Sequence, residues 1–257
     1  MQRRNFIKEK LNSGKAVIGT WSIIPSPIVS DIISSTGIDF IIIDAEHGPI
    51  SFSEAQEMAI ACESRGVSPI MRVGGVIESD ILKALDIGVH GIQIPNVEKI
   101  TDVERIIRFS KYPPIGNRGF SPFTRAGNYS INNSKNHTLS SNQNTLIGIN
   151  VEGEEGINNL DEILQINELD IIFIGLFDLS KALGIPGEVD SPKVEELLRD
   201  VSKKILNAGK YPGTIATSKE KMRFHLSIGI KYLLYLVDCE MIRASYEDIV
   251  FEFDKLK

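Results

Sequence analysis

The chain has 257 residues, of which 42% are hydrophobic and 24% are charged, as is ordinary for a soluble globular protein. This length is enough for one large core, and we expect a single domain over residues 1–257. The formal net charge of -6 gives no electrostatic reason to bind nucleic acid or an anionic membrane, so an anionic ligand must be held by a local arginine or a metal ion.

Short β-branched runs alternate along the chain with longer amphipathic stretches. Eight runs are predicted as strands: Ala16–Trp21, Phe40–Asp44, Ser68–Val73, Gly91–Pro95, Leu146–Val151, Asp170–Gly175, Tyr211–Ala216 and Tyr232–Val237. Helices are predicted between most of them: Pro27–Ser35, Ser53–Arg65, Ser79–Leu85, Asp102–Ser110, Asn158–Ile166, Lys193–Ala208 and Lys219–Ser227. Ser53 lies three residues before Gln56 and is predicted to start its helix. The alternation predicts an α/β fold, a closed (β/α)8 TIM barrel, with a doubly wound open sheet as the main alternative.

One segment departs from this alternation of strands and helices. Residues Asn128–Asn144 are rich in Asn and Ser, which favours a solvated loop. The alternative is a flap near the active site, because the segment lies between the fourth and fifth strands and barrel loops often carry function.

The cysteines and the apolar runs bear on the cellular compartment. Cys62 and Cys239 are far apart and indicate neither a disulfide framework nor a zinc cluster. The first ten residues are charged and lack the apolar core of a signal peptide, and the longest apolar runs are far shorter than the roughly 20 residues of a membrane span. We therefore expect a cytoplasmic protein without a membrane segment.

Polar residues collect at the carboxyl ends of neighbouring predicted strands, where barrel enzymes carry their catalytic groups. Glu152 and Asp178 follow adjacent strands, so their carboxylates could converge. Two like charges about 4 Å apart repel by roughly 4 kcal/mol at an effective dielectric of 20, and a shared proton, an arginine or a divalent cation would offset this. Two carboxylates with few other donors suit Mg²⁺ or Mn²⁺. The alternative is a pair of helix N-caps, because Asp178 precedes a helix start.

Three further residues are candidates on position. His47 lies just past a strand end beside Asp44 and Glu46, which suits a general acid or base, although a loop histidine bonded to a backbone carbonyl is an equal alternative. Arg72 ends an apolar strand and needs a partner, which could be Asp44, Asp86 or an anionic substrate oxygen. Arg118 lies in a turn-rich loop, where bracing the mouth is favoured over holding a carboxylate.

The absence of a lysine at a strand's carboxyl end disfavours a Schiff-base mechanism. These residues resemble the class II, metal-dependent pyruvate aldolases of the 2-dehydro-3-deoxyglucarate aldolase and 4-hydroxy-2-oxoheptanedioate aldolase type, in the citrate lyase β-subunit superfamily. The resemblance spans nearly the whole chain. Its motifs are Asp44-Ala-Glu-His-Gly-Pro49, Met71-Arg72, Leu85-Asp86-Ile-Gly88, Ile94-Pro95, Tyr112-Pro-Pro-Ile-Gly-Asn-Arg-Gly119, Val151-Glu152, Phe173-Ile-Gly-Leu-Phe-Asp-Leu-Ser180 and Gly209-Lys-Tyr-Pro-Gly213.

The resemblance implies a role for each matching residue. Glu152 and Asp178 would bind the metal ion, which would be Mg²⁺ or Mn²⁺ with Co²⁺ as a further option. Arg72 would meet the keto oxygen of pyruvate, and His47 would act on the aldehyde side with Asp44 or Asp86. The substrate's carboxylate would be held by backbone N–H groups around Phe177 and Asp178. Asn150 stands where many relatives carry Gln, and Leu176 and Phe177 replace a proline and a small residue, so the substrate pocket departs from the family pattern.

The implied reaction is the reversible cleavage of a 4-hydroxy-2-oxo acid, such as a 2-keto-3-deoxy sugar acid, to pyruvate and an aldehyde through a metal-stabilised enolate. The partners are then a small 2-oxo acid and an aldehyde, and the resemblance also implies a homo-oligomer, a hexamer. The alternatives are an oxaloacetate decarboxylase or a CoA-thioester lyase on the same barrel, or a non-catalytic binding protein.

Overall fold

The structure is a computed structural model that describes residues 4–257, with the backbone alone for residues 133–135. Its eight parallel strands close into a barrel in which each strand pairs with the next along the chain and β8 pairs with β1. The strands are β1 Val17–Ser22, β2 Phe40–Asp44, β3 Ser68–Arg72, β4 Gly91–Val97, β5 Leu146–Val151, β6 Ile171–Ile174, β7 Tyr211–Ala216 and β8 Tyr232–Val237. The predicted (β/α)8 barrel is confirmed, and the open sheet is excluded.

Helices follow the strands and cover the outside of the barrel. They are α1 Phe6–Asn12, α2 Pro27–Ser34, α3 Phe52–Ser64, α4 Glu78–Asp86, α5 Ile100–Ser110, α6 Ser134–Asn144, α7 Gly153–Asn158, α8 Leu160–Ile163, α9 Leu176–Ala182, α10 Pro192–Asn207, α11 Lys219–Ser227 and α12 Asp238–Lys255. In the described part of the chain, none has the length and apolarity to cross a membrane.

The start of α3 differs from the prediction. Ser51, not Ser53, caps the helix: its Oγ accepts the N–H of Glu54 at 3.3 Å, and the Glu54 carboxylate accepts the N–H of Ser51 at 2.8 Å. This reciprocal pair satisfies two N–H groups that the first turn leaves open. The true capping box therefore lies two residues before the predicted one.

The Asn/Ser-rich segment is not an irregular loop, because α6 and a short 3₁₀ turn, Ile131–Asn133, occupy most of it. It follows α5, which returns the chain to the amino-terminal end of the barrel. Lys111 Nζ donates to the backbone oxygens of Asn142 and Thr145, both at 2.9 Å, and so anchors the segment just before β5 begins. Burial lowers the pKa of Lys111 to about 8. The flap interpretation is wrong, since the segment lies at the end opposite the strands' carboxyl termini.

The barrel interior is filled by large side chains that glycines make room for. The rings of Phe40 and Tyr232 stack with their centroids 4.3 Å apart. A Cβ at Gly19 would lie 2.4 Å from the Phe40 ring, so β1 tolerates only glycine there. Ile7 and Leu11 of α1 belong to the same buried cluster and close its amino-terminal end. The interior is thus a packed core, and the carboxyl ends of the strands are left for polar groups.

Candidate active site

A buried row of polar residues crosses the carboxyl ends of three neighbouring strands. The strand register sets Asp44 of β2 opposite Arg72 of β3, and Arg72 opposite Gln93 of β4. All three are buried, with exposed fractions of 1%, 8% and 1%. Since side chains alternate between barrel interior and exterior, this register points all three toward the same mouth.

Arg72 is held on three sides. Its Nε and one terminal nitrogen donate to the two oxygens of Asp44 at 2.8 and 2.6 Å, and its other terminal nitrogen lies 3.1 Å from Glu46 Oε2. The guanidinium also lies over the ring of Trp21, with its central carbon 4.0 Å from the centroid. Two of its five N–H groups donate to Asp44, and the terminal nitrogen beside Glu46 forms no hydrogen bond with it, so three N–H groups remain for a substrate oxygen.

Asp44 also fixes the turn that follows β2. Its Oδ1 accepts the backbone N–H groups of Glu46 and His47 at 3.1 and 3.3 Å. This carboxylate therefore orients both the guanidinium and the residues after the strand. Of the partners considered for Arg72, the structure brings together Arg72 and Asp44, and it adds Glu46.

Asn150 links the row to Glu152. Its Nδ2 donates to Glu152 Oε1 at 2.9 Å, while its Oδ1 accepts from Gln93 Nε2 at 2.6 Å. Tyr232 in turn donates its hydroxyl to Gln93 Oε1 at 3.3 Å. A chain of hydrogen bonds from the barrel core thus sets the orientation of the Glu152 carboxylate.

The carboxylates of Asp178 and Glu46 lie near enough to Glu152 for their negative charges to act on it. Burial raises the pKa of Glu152, the hydrogen bond from Asn150 opposes this, and the negative charges of Asp178 and Glu46 raise the pKa further. Asp178 is the third residue of α9, and its carboxylate lies close to Gly175. A Cβ added to Gly175 would lie 2.7 Å from Oδ2 of Asp178. In the described chain neither Glu152 nor Asp178 belongs to an ion pair, and neither side chain caps a helix. Glu152 does occupy the N-cap position of α7, but without a capping hydrogen bond, and the N-cap of α9 is Gly175, so the N-cap interpretation holds only for the position of Glu152.

The residues at the mouth fit a divalent cation that takes part of its coordination from outside the protein. In residues 4–257 no group of three or more His, Cys, Asp or Glu side chains is arranged to hold a metal ion. Buried Glu46 Oε2 accepts no hydrogen bond within the described chain, although it faces Arg72. An oxygen-only donor set with excess negative charge suits a hard cation whose other positions are filled by water or substrate.

The remaining predicted site residues lie in different places. His47 is at the rim, with its side chain 68% exposed and its Nε2 3.9 Å from Glu46 Oε2. Phe177 is also at the rim and is 64% exposed. Asp86 ends α4 at the amino-terminal end of the barrel, where it accepts from Arg118 at 2.6 Å. The structure therefore does not bring Asp86 near His47, and Arg118 does not brace the mouth.

Sequence reasoning missed two residues of this constellation. Gln93 is the one polar side chain in the predicted strand Gly91–Pro95, a signal that could have marked it. Trp21 ends the first predicted strand, and its position over Arg72 could not be deduced without the closure of β1 against β2. Trp21 positions Arg72, and Gln93 positions Glu152 through Asn150; Arg72 and Glu152 are residues that the sequence did single out.

The chain is similar to known proteins in both sequence and structure. Residues 18–223 match the family described as HpcH/HpaI aldolase/citrate lyase. A hydroxypyruvate/pyruvate aldolase from Roseobacter denitrificans is 30% identical over 247 residues, covering 95% of either chain. The crystal structure of an HpcH/HpaI aldolase from Desulfitobacterium hafniense DCB-2 is 28% identical and covers 98% of either chain with a TM-score of 0.92. That of the citrate synthase SbnG is 28% identical with the same coverage and a TM-score of 0.88.

Proposed function

Because the chain belongs to the HpcH/HpaI aldolase/citrate lyase family, we propose that it reversibly cleaves a 4-hydroxy-2-oxo acid to pyruvate and an aldehyde at the carboxyl-end mouth of its barrel. Family membership confirms the predictions of an enzyme, of a carbon–carbon lyase and of the pyruvate aldolase class. A small 2-oxo acid is its substrate and a divalent metal ion its cofactor. The roles of individual residues are our proposal.

The observation that supports the proposal is that the negative charges of Asp178 and Glu46 act on Glu152 at the mouth, with Arg72 as a cation beside Glu46. Glu152 and Asp178 would hold the metal ion, and the oxygen donors favour Mg²⁺ or Mn²⁺, with Co²⁺ as a further option. When bound there, such an ion supplies Lewis acidity toward the oxygens of the 2-oxo acid. Asn150 keeps the Glu152 carboxylate turned toward the mouth through its hydrogen bond.

Arg72 is proposed to bind the keto oxygen of pyruvate. Three of its N–H groups have no acceptor within the described chain, and Asp44 and Trp21 hold the guanidinium plane in place. Because the donors are fixed before the substrate arrives, little reorganisation is needed as negative charge develops on that oxygen. Asp44 is accordingly a positioning residue.

His47 is proposed to move the proton at the aldehyde oxygen. It lies at the open rim, where the longer part of the substrate must extend, and Glu46 is its nearest acidic neighbour. The substrate's carboxylate is assigned to backbone N–H groups of Phe177 and Asp178. These lie in the first turn of α9, where N–H groups have no partner within the helix.

The test is deuterium exchange into the methyl group of pyruvate, followed by NMR with and without Mg²⁺ or Mn²⁺, and then a screen of aldehydes. We expect exchange that EDTA abolishes and that E152Q and D178N reduce at least 100-fold. The matched control is E154Q, because Glu154 is an exposed carboxylate two residues further along. Metal-independent exchange, or inactivation by borohydride in the presence of pyruvate, would refute the proposal in favour of a lysine imine.

A second candidate is carbon–carbon bond formation with a thioester, favoured by the similarity to the citrate synthase SbnG over 98% of the chain. The same mouth would then bind oxaloacetate as its 2-oxo acid. Release of CoA from acetyl-CoA and oxaloacetate, measured with a thiol reagent, distinguishes the two. Turnover in that assay with no exchange into pyruvate would favour the second candidate.

We also propose that the chain forms a homo-oligomer, a hexamer by resemblance. The support is α12, an 18-residue helix on which Met241, Tyr246, Ile249 and Phe253 are between 44% and 69% exposed. Large exposed apolar surfaces of this kind mark protein interfaces. Analytical ultracentrifugation should give an oligomer whose mass falls in the double variant I249Q/F253Q. A monomeric wild-type protein would refute this proposal.

A further inference from the structure

A cavity lies at the amino-terminal end of the barrel, remote from the carboxylates of the mouth. It has a volume of about 230 Å³ and is enclosed by the residues before α1, the turn before β4, the chain from Arg118 to Asn132 and one face of α6. This is the segment that the sequence marked as unusual and that the proposed reaction leaves without a role. At about 30 Å³ per water, the space accommodates a molecule of roughly three to five carbons.

The cavity lining is basic and rich in hydrogen-bonding groups. It contains three arginines and two histidines, and the described lining includes no Asp or Glu. Asn, Ser and Thr supply most of the remaining polar surface, notably from α6. Each arginine pairs with a carboxylate outside the lining, Arg4 with Glu9, Arg118 with Asp86 and Arg125 with Glu63. The surface that faces the cavity therefore presents donors and no carboxylate, which favours an anion that also carries hydroxyl groups.

Arg118 supplies a donor that the described protein does not use. Its side chain is 2% exposed and lines the cavity. One terminal nitrogen donates to Asp86 at 2.6 Å, and the guanidinium lies 4.7 Å from the centroid of the Tyr112 ring. Its Nε, however, has no hydrogen-bond partner in the described chain. Nε is shielded even from a water-sized probe, so a ligand in the cavity would meet the second terminal nitrogen, Nη1, which makes no hydrogen bond within the described chain.

The other basic groups are fixed rather than mobile. His90 is buried, with Nδ1 3.1 Å from Ser68 Oγ and Nε2 3.0 Å from Glu63 Oε1. Arg125 pairs with the same Glu63 carboxylate and donates to the backbone oxygen of Ile87 at 3.0 Å. A rigid basic wall binds a small anion with little loss of side-chain freedom.

We propose that this cavity binds a small hydroxylated oxyanion, a phosphate ester or carboxylate of a short polyol, with Arg118 Nη1 as a donor to the oxyanion. α6 provides hydroxyl and amide contacts to the rest of the ligand. The site is separate from the proposed reaction and stands whether or not that proposal holds.

The experiment is isothermal titration calorimetry of the full-length protein with glycerol 3-phosphate, glycerate and inorganic phosphate, at constant ionic strength balanced with chloride. Saturable binding of glycerol 3-phosphate or of glycerate is expected, and the comparison of the two identifies the oxyanion. S140F should weaken binding at least tenfold by filling the cavity, whereas Q143F, the same change on α6 outside the lining, should leave it within twofold.

R118K provides a second test that does not depend on filling the cavity. It keeps a cation beside Asp86 but removes the second terminal nitrogen, Nη1, and should weaken binding at least fivefold. The proposal is overturned if no anion binds, if S140F and Q143F bind equally, or if oxalate, which competes for a 2-oxo acid site, displaces the ligand.

Discussion

Replacing Arg72 with lysine tests whether the mouth depends on the planar geometry of the guanidinium or only on its charge. Arginine makes two charge-assisted bonds to Asp44, at 2.8 and 2.6 Å, and covers the Trp21 ring. Lysine can keep one of those bonds. The loss of one such bond costs about 1.5–3 kcal/mol, and a weaker ring contact costs up to about 1 kcal/mol more. We therefore expect R72K to lower the free energy of unfolding by about 2–4 kcal/mol.

The assay is urea unfolding followed by the fluorescence of Trp21, the only tryptophan in the chain and a direct neighbour of the guanidinium. The matched control is R65K, because Arg65 makes the same two-bond pair with Asp31 at 2.7 and 3.0 Å, but with the two side chains 49% and 41% exposed. Exposed pairs contribute about 0–1 kcal/mol, so R65K should change little. Equal losses in R72K and R65K would refute the argument that burial gives the pair its strength.

Further predictions follow from the same contacts. Because the pKa of Glu152 is raised in the folded state, its contribution to stability is lost as the pH rises through that pKa. In cation-free protein, E152Q should therefore have a higher unfolding midpoint than wild type at pH 8, and this difference should shrink on acidification. H47A should lower kcat for aldol cleavage about 10²- to 10³-fold while pyruvate exchange persists, and a parallel loss of exchange would contradict a role on the aldehyde side. G19A should destabilise the protein by about 1–3 kcal/mol through its clash with Phe40, whereas G74A, where an added Cβ meets nothing within 4 Å, should not.

Much of the barrel could be predicted because its strands are apolar on both faces and short. The predicted bounds of Phe40–Asp44 and Leu146–Val151 coincide with β2 and β5. Helices α6 and α12 were not predicted from the sequence, for opposite reasons. α6 contains one large apolar residue, Leu139, and so has no apolar stripe to recognise. α12 has exposed apolar residues along most of its length, which hides the helical period that a one-sided helix would show.

The partner of Arg72 could not be predicted from the sequence. Asp44 and Asp86 were both candidates for this partner, and sequence alone left the choice open. The one-to-one register of β2 and β3 sets Asp44 beside Arg72, whereas α4 carries Asp86 to the far end of the barrel. Which strand end a residue occupies could be predicted, but which neighbour it meets depends on register and helix direction.

The charges at the mouth imply an order of binding. Asp44 and Arg72 offset each other, which leaves Glu46, Glu152 and Asp178 without a second cationic side chain among the contacts described there. A 2-oxo acid carries a negative charge of its own, and in a partly buried mouth like charges repel more strongly than in water. A divalent cation reverses most of this repulsion and offers the substrate oxygens a partner. The mouth should therefore bind its 2-oxo acid only after the cation, and the proposed role of Arg72, held rigidly by Asp44 and Trp21, is to orient the substrate in that second step.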